Sequence, residues 1–278
     1  MTLTTLTVET PLGELRLKKD TEAEFTGHLP ESFCFQGRGF GGYTAALAAF
    51  AGMHWASGRQ LTGLHALFPN VAVAGDLTLK VVPLVQGRSA ASCQVRVEQG
   101  DKLVVLASFW FVEEKLLGAP GPRARTHPVP APESCEEIPW VAEVALFLKG
   151  LHARSADYPL SLDAFETDYR DGGNSMSLWA VPENAGTDAT AGRLTDIMFL
   201  DAHMVDAGLR AEAPHTTIVS LDLSATWAHP SAPPDATLME ARADTSGELS
   251  VLSADLVSRD GNIRATGASQ CRLYRPQP

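Results

Sequence analysis

Long hydrophobic runs are missing from this 278-residue chain; none approaches the roughly 18 apolar residues of a membrane-spanning helix. The start, MTLTTLTVETPLGELRL, has no basic segment leading into an apolar one, so no secretory leader is expected and the cytoplasm is the default compartment. Cysteine is scarce. Cys34, Cys93, Cys135 and Cys271 stand far apart without a CxxC pair, which supplies neither a disulfide framework nor a zinc pattern. Positive charge is also short: 22 Lys and Arg face 33 Asp and Glu, a net −11. With no basic stripe to offset that balance, nucleic acid and anionic membrane are not expected partners. HExxH and GxSxG are both absent, which removes two common hydrolase signatures. GRGFGG, Gly37 to Gly42, fits GxGxxG, but the stretch about 20 positions on, RQLTG, carries no acid to hold a ribose. It reads as a flexible helix entry.

The chain does have enough apolar material for a core: 45% of residues are hydrophobic and 20% charged, the balance of a globular protein. It also contains itself twice. A shift of 160 residues carries GRSAASCQVRVEQGDKLVVLASFWF, from Gly87, onto GELSVLSADLVSRDGNIRATGASQC, from Gly247, without a gap. Each copy alternates, turns through a short polar stretch and alternates again, the pattern of a β-hairpin. Upstream, QLTGLHALFP from Gln60 falls on SLDLSATWAH from Ser220, and GGYTAALAAFAGMHWAS from Gly41 meets a second helical segment. Each half therefore reads as strand, long helix and several antiparallel strands. That order is α+β, since a parallel α/β fold would alternate helix and strand. The expected modules are residues 1–115 and 140–278. Between them, 116–139 is a Pro/Gly-rich connection. A short apolar strand between two loops is expected within 170–192.

The second helical segment contains IMFLDAHMV, residues 197 to 205, with a carboxylate inside an apolar run. At about 100° per residue, Asp201 shares its face with Leu194, Ile197, Met198, Met204, Val205 and Gly208. Asp196, His203, Asp206 and Arg210 gather on the other side, so Asp201 alone breaks the pattern. An ionised carboxylate in such a place costs several kcal/mol unless it pairs, protonates or works. His203 lies two positions away, on the other side of the helix, and is not placed to act with Asp201 as an acid–base pair. His54 and His65 lie in apolar stretches and read as core or rim residues.

GRGFGGYTAALAAF, LHALFP, AGDLTLKVVPLVQGRS and VRVEQGDKLVVLASFWF resemble, in order and spacing, the first half of the type II acyl-CoA thioesterases. LDAHMV, SLDLSATWAHP and LVSRDGNIRATGASQ resemble the second half, so the likeness spans roughly residues 25 to 275. It implies a double hotdog: two tandem modules, each a long helix packed on a curved antiparallel sheet, fused into one continuous sheet. It also implies hydrolysis of acyl-CoA, or of an acyl-carrier thioester, with no cofactor and no metal, by a chain that pairs as a homodimer. The family's Asp, Thr and Gln fall here on Asp201, Ser220 and Gln270, with serine keeping the hydroxyl. At the offset of 160 their partners in the first copy are Gly41, Gln60 and Trp110, which leaves one site per chain.

In this reading Asp201 takes a proton from the attacking water, and Ser220 and Gln270 fix that water. Gly41 and Gly42, before the first helix, would offer backbone N–H groups to the oxyanion. Met198, Met204 and Val205 would line the acyl groove. Arg88, with Arg38, Lys80 and Arg96, is the candidate for the phosphates of CoA. Two other readings use the same fold: a non-catalytic or biosynthetic acyl-thioester-binding protein, and an enoyl-CoA hydratase or dehydratase.

Overall fold

The computed structural model describes residues 4–119, 130–184 and 186–275. Part of the expected connection, residues 120–129, lies outside them. The first module opens with an antiparallel meander of β1 (Thr4–Thr10), β2 (Gly13–Lys19) and β3 (Glu24–Leu29). A two-residue hairpin, β4 (Cys34–Phe35) with β5 (Arg38–Gly39), leads into helix α1 (Gly41–Trp55). Then come β6 (Gln60–Leu67), β7 (Gly75–Gln86), β8 (Ala90–Gln99) and β9 (Lys102–Val112). The second module runs through α2 (Trp140–Val144), β10 (Leu151–Asp157), α3 (Leu162–Glu166), β11 (Ser175–Pro182) and α4 (Ala189–Leu209). It ends with β12 (Thr217–Ser220), β13 (Asp222–Thr226), β14 (Thr237–Ser246), β15 (Leu249–Ser258) and β16 (Ile263–Tyr274). The expected helix around Asp201 and the strand within 170–192 are present. The full meander before α1 and the short helices α2 and α3 go beyond the sequence reading.

The strands form one sheet in the order β1-β2-β3-β7-β8-β9-β6-β13-β16-β15-β14-β11-β10, with β12 paired to β16. The modules join where β6 meets β13 antiparallel, Leu64 opposite Ala225. This is the α+β, two-module sheet that the repeat implied. Its hairpins turn where the repeat placed them. Gly100 (φ +58°) and Gly261 (φ +87°) take the left-handed conformation that the two turns need, at no Cβ cost.

The sheet wraps α1 and α4, which also pack on each other. Alternation explains which side is wet: along β16, Ala265, Gly267, Ser269 and Cys271 are buried, while Thr266, Ala268, Gln270 and Arg272 are exposed. Helix α1 is buried continuously from Gly42 to Gly52. Five alanines in that span let backbone and sheet approach closely. Helix α4 is also buried on nearly every side, and this corrects the sequence reading. Arg193, Asp196, His203 and Asp206 are as sheltered as Asp201. An amphipathic wheel assumes water on the far side; here the second module's sheet, Tyr158 just after β10 and the 229–235 loop cover it. Among the described residues no helix is long and apolar enough to cross a membrane.

Candidate active site

Three chain segments meet at Asp201. It sits well inside α4, held there by Leu194, Ile197, Met198 and Met204, all fully buried around it. The start of α1 abuts this point. Gly42 donates its backbone N–H to Asp201 Oδ2 at 2.6 Å, using one of the first-turn amides that a helix leaves without an internal partner. From the end of β12, Ser220 donates its hydroxyl to Oδ1 at 3.0 Å. Glycine is required at the contact: a Cβ on Gly42 would lie 2.5 Å from Phe40 Cζ and 3.0 Å from Asp201 Cβ. A Cβ on Gly41 would lie 3.0 Å from Asp201 Oδ2 and 3.2 Å from the Phe68 ring. Phe40 and Phe68 thus flank the carboxylate and are themselves half-buried.

The three buried acids of α4 differ in their partners. Asp196 is held by the Arg264 guanidinium and by Trp227 Nε1–H at 3.1 Å. Asp206 receives the Tyr158 hydroxyl at 2.8 Å and lies 3.1 Å from His203 Nδ1. Asp201 receives only an amide and a hydroxyl, and none of its partners among the described residues carries charge. Desolvation therefore dominates, and burial pushes its carboxyl from 3.8 up to about 6, with the Ser220 and Gly42 hydrogen bonds pulling the other way. Each oxygen keeps one lone pair. Asp201 as a whole residue is 7% exposed. The result is a carboxylate that is ionised at neutral pH yet more basic than usual, the property a general base needs.

The remaining sequence candidates divide. Met198 and Met204 are sealed in the core, and Val205 is partly buried beside them, so they pack the helix instead of lining an open groove. Gln270 is not brought to Asp201. Its backbone N–H goes to Asp222 Oδ1 at 2.6 Å, and strand alternation turns its side chain to the exposed face. The residues on the inward face are its neighbours Ser269 and Cys271. Cys271 stands directly opposite Ser220 in the β12–β16 register. Gln270 was assigned through the family likeness; the alternation of ATGASQCRL is the sequence signal that places position 270 on the outward face.

The four basic candidates do not converge. Lys80 and Arg96 are cross-strand partners on the sheet's outer face, beside Glu24 and Glu98 respectively. Arg38 is exposed on β5, near the start of α1. Arg88 lies in the β7–β8 turn, where Arg59 bonds the Gly87 carbonyl beyond the C-terminal end of α1. A 15-residue helix is about 22 Å long, so Arg88 is at the far end from Gly41 and Asp201. Among the described residues no cluster of three or more His, Cys, Asp or Glu side chains is placed to hold a metal ion.

Comparison with known proteins bears on this geometry. Residues 29–112 match the family model described as the acyl-CoA thioesterase N-terminal domain. No curated protein sequence matches the chain. Among solved structures, a conserved protein with a hot dog fold from Alicyclobacillus acidocaldarius is 20% identical, with 94% of this chain and 96% of that one covered at a TM-score of 0.78. The tesB protein of Mycobacterium avium subsp. paratuberculosis is 17% identical, with 93% and 96% covered at 0.76. Acyl-CoA thioesterase II TesB2 of Mycobacterium marinum is 13% identical, with 96% and 98% covered at 0.76. At such identities these likenesses establish the double-hotdog fold over nearly the whole chain.

Proposed function

We propose that this chain, whose residues 29–112 match the acyl-CoA thioesterase N-terminal domain, belongs to that family and cleaves acyl-CoA by water attack at a single site centred on Asp201. One observation supports the residue assignment: Asp201 is a buried acid of α4 whose two partners are a backbone amide and a hydroxyl, and burial raises its carboxyl to about 6. A thioester is already activated, so the chain must supply an oriented base and a donor for the oxyanion. Asp201 accepts the proton of the attacking water on a lone pair that Gly42 and Ser220 leave open. Those two donors fix both oxygens, so the base does not reorganise as it reacts. With the Gly42 amide committed to the carboxylate, the oxyanion donor falls to Gly41, whose N–H belongs to the same unpaired first turn. Phe40 and Phe68 exclude bulk water and face the acyl carbon nearest the thioester. Gln270 has no step in this scheme.

The test is release of free thiol from a panel of acyl-CoAs, followed with a thiol-reactive dye, alongside water addition to an enoyl-CoA. Stoichiometric thiol and acid, with no hydration, is the expected result. Binding without thiol release would make the protein an acyl-thioester binder, and hydration of the enoyl-CoA would make it a hydratase; either result ends the proposal.

A further inference from the structure

Resting on the proposed hydrolysis at Asp201, we infer that Phe147 is a specificity-determining residue: its ring walls off the far end of the acyl site and sets the length of chain that is accepted. Two half-buried rings, Phe40 and Phe68, flank the carboxylate, and a different surface lies behind each. Behind Phe68, whose backbone N–H bonds the Leu221 carbonyl at 3.0 Å, are the exposed Leu67 and Leu221. That side turns polar at once: Asp222 stands opposite Leu67 in the sheet and lies 3.5 Å from His65 Nε2. Behind Phe40 the rings continue. Phe147 stacks on it with centroids 4.4 Å apart and planes 15° from parallel, and Phe33 stacks on Phe147 at 5.8 Å. Phe33 in turn meets Tyr43 at 4.1 Å, and both are sealed in the core.

A hydrocarbon chain binds about fourfold tighter for each methylene it takes out of water. It does so along rings and not beside a carboxylate and an imidazole, whereas the amides of a pantetheine arm keep hydrogen-bond partners on the polar side. The acyl chain therefore leaves Asp201 past Phe40 and ends on Phe147, which is half-buried and keeps an edge free to meet it. Phe147 reaches this place from the second module, in the one-turn 3-10 helix Leu146–Leu148 ahead of β10. Leu148 is buried behind it. Two residues further on, Gly150 presses against the turn between β1 and β2, leaving no room for a Cβ beside the Pro11 carbonyl oxygen. The turn is held from both sides, so the ring is a wall of fixed position, and a fixed wall gives a sharp length limit.

The test is kcat/KM over a homologous series of straight-chain saturated acyl-CoAs with the full chain, and thermal unfolding as the check on folding. In the parent, kcat/KM should rise with each added methylene and break where the chain end meets the ring. Phe147→Ala should move the break longer by about three methylenes, the room that the lost ring opens. Substrates of that added length should gain about tenfold or more, while the shortest stays within about twofold of the parent. Phe147→Trp should move the break the other way. Should alanine unfold, Phe147→Leu is measured in its place, with a smaller shift in the same direction. Leu221→Ala, on the other side of the carboxylate, should leave the break where it is. A parental series without a break, or a break that stays put in the alanine or leucine variant, overturns the inference. So does a break that moves with Leu221→Ala, or a loss equal at every chain length. If no acyl-CoA releases thiol, the hydrolase reading fails, and the same break and its shift are read in Kd by calorimetry; acyl-CoAs that do not bind at all end both.

Discussion

Helices α1 and α4 occupy equivalent places in two copies of one fold, pack side by side, and are built on opposite terms. From Gly42 to Gly52, α1 buries small and apolar residues; its buried polar side chain, Thr44, simply bonds the Gly41 carbonyl of its own first turn. Helix α4 buries Arg193, Asp196, Asp201, His203 and Asp206. At the offset of 160 the counterparts of Ser220 and Cys271 are Gln60 and Phe111, and the strand register differs, with Phe111 opposite Leu61 and Cys271 opposite Ser220. Burying charge is costly unless partners offset it. Arg193 meets Ser231 Oγ, the His229 carbonyl and the Trp227 ring, Asp196 meets Arg264, and Asp206 meets Tyr158. Asp201 is the member left without a strong partner. What the first module brings to Asp201 is the backbone at the start of α1 and the flanking rings of Phe40 and Phe68.

Breaking that contrast at its centre has the largest effect. Asp201→Asn keeps the shape and removes the base, so kcat should fall by about 10²–10⁴ at neutral pH, read by thiol release. The same variant should be more stable than the parent at pH 7. Between pH 3.8 and about 6 the folded protein binds more protons at Asp201 than the unfolded chain does. Stability therefore falls as pH rises through that window, and asparagine escapes a cost of about 3 kcal/mol at neutral pH. Denaturant titrations at pH 7 and pH 5 should show the advantage shrinking at the lower pH.

A smaller effect comes from the first module's side of the contact. In Gly42→Ala the new methyl collides with Phe40 and crowds Asp201, so activity should drop more than about tenfold, with a stability loss of about 1–3 kcal/mol in urea unfolding. Ser220→Ala removes one donor to the carboxylate and should lower kcat about tenfold. Because that hydrogen bond holds the Asp201 pKa down, the acid limb of the variant should move to higher pH. Ser220→Thr should keep both rate and limb. Least of all, Gln270→Ala on the exposed face should change kcat by less than about twofold.

Much of the fold was legible because strands and turns write themselves into sequence. The repeat located both hairpins, and the period of IMFLDAHMV located α4 and the odd carboxylate. Ser220 came from the family likeness, as the position of the family's Thr, and the structure puts it at the end of β12 beside Asp201. Less could be read where burial comes from distant segments. Nothing near Asp196 or Asp206 in sequence announces that Arg264 and Tyr158 will cover them, so the wheel made Asp201 look uniquely buried when its distinction is to have only an amide and a serine hydroxyl as partners. Gln270 came from the family likeness, and alternation along β16 sets its side chain on the exposed face. Arg88 lies by the C-terminal end of α1, and loop proximity in sequence does not say which end of a helix the loop serves.

The central claim is that a buried, uncharged-partnered Asp201 is the base. It is tested most directly by kcat/KM for acyl-CoA hydrolysis across pH 4 to 8 in the parent and in Asp201→Asn. The parent should lose activity below a midpoint of about 6, and the residual rate of the variant should show no such limb. A parent profile flat through pH 6, or a variant that keeps the parental limb, would contradict it.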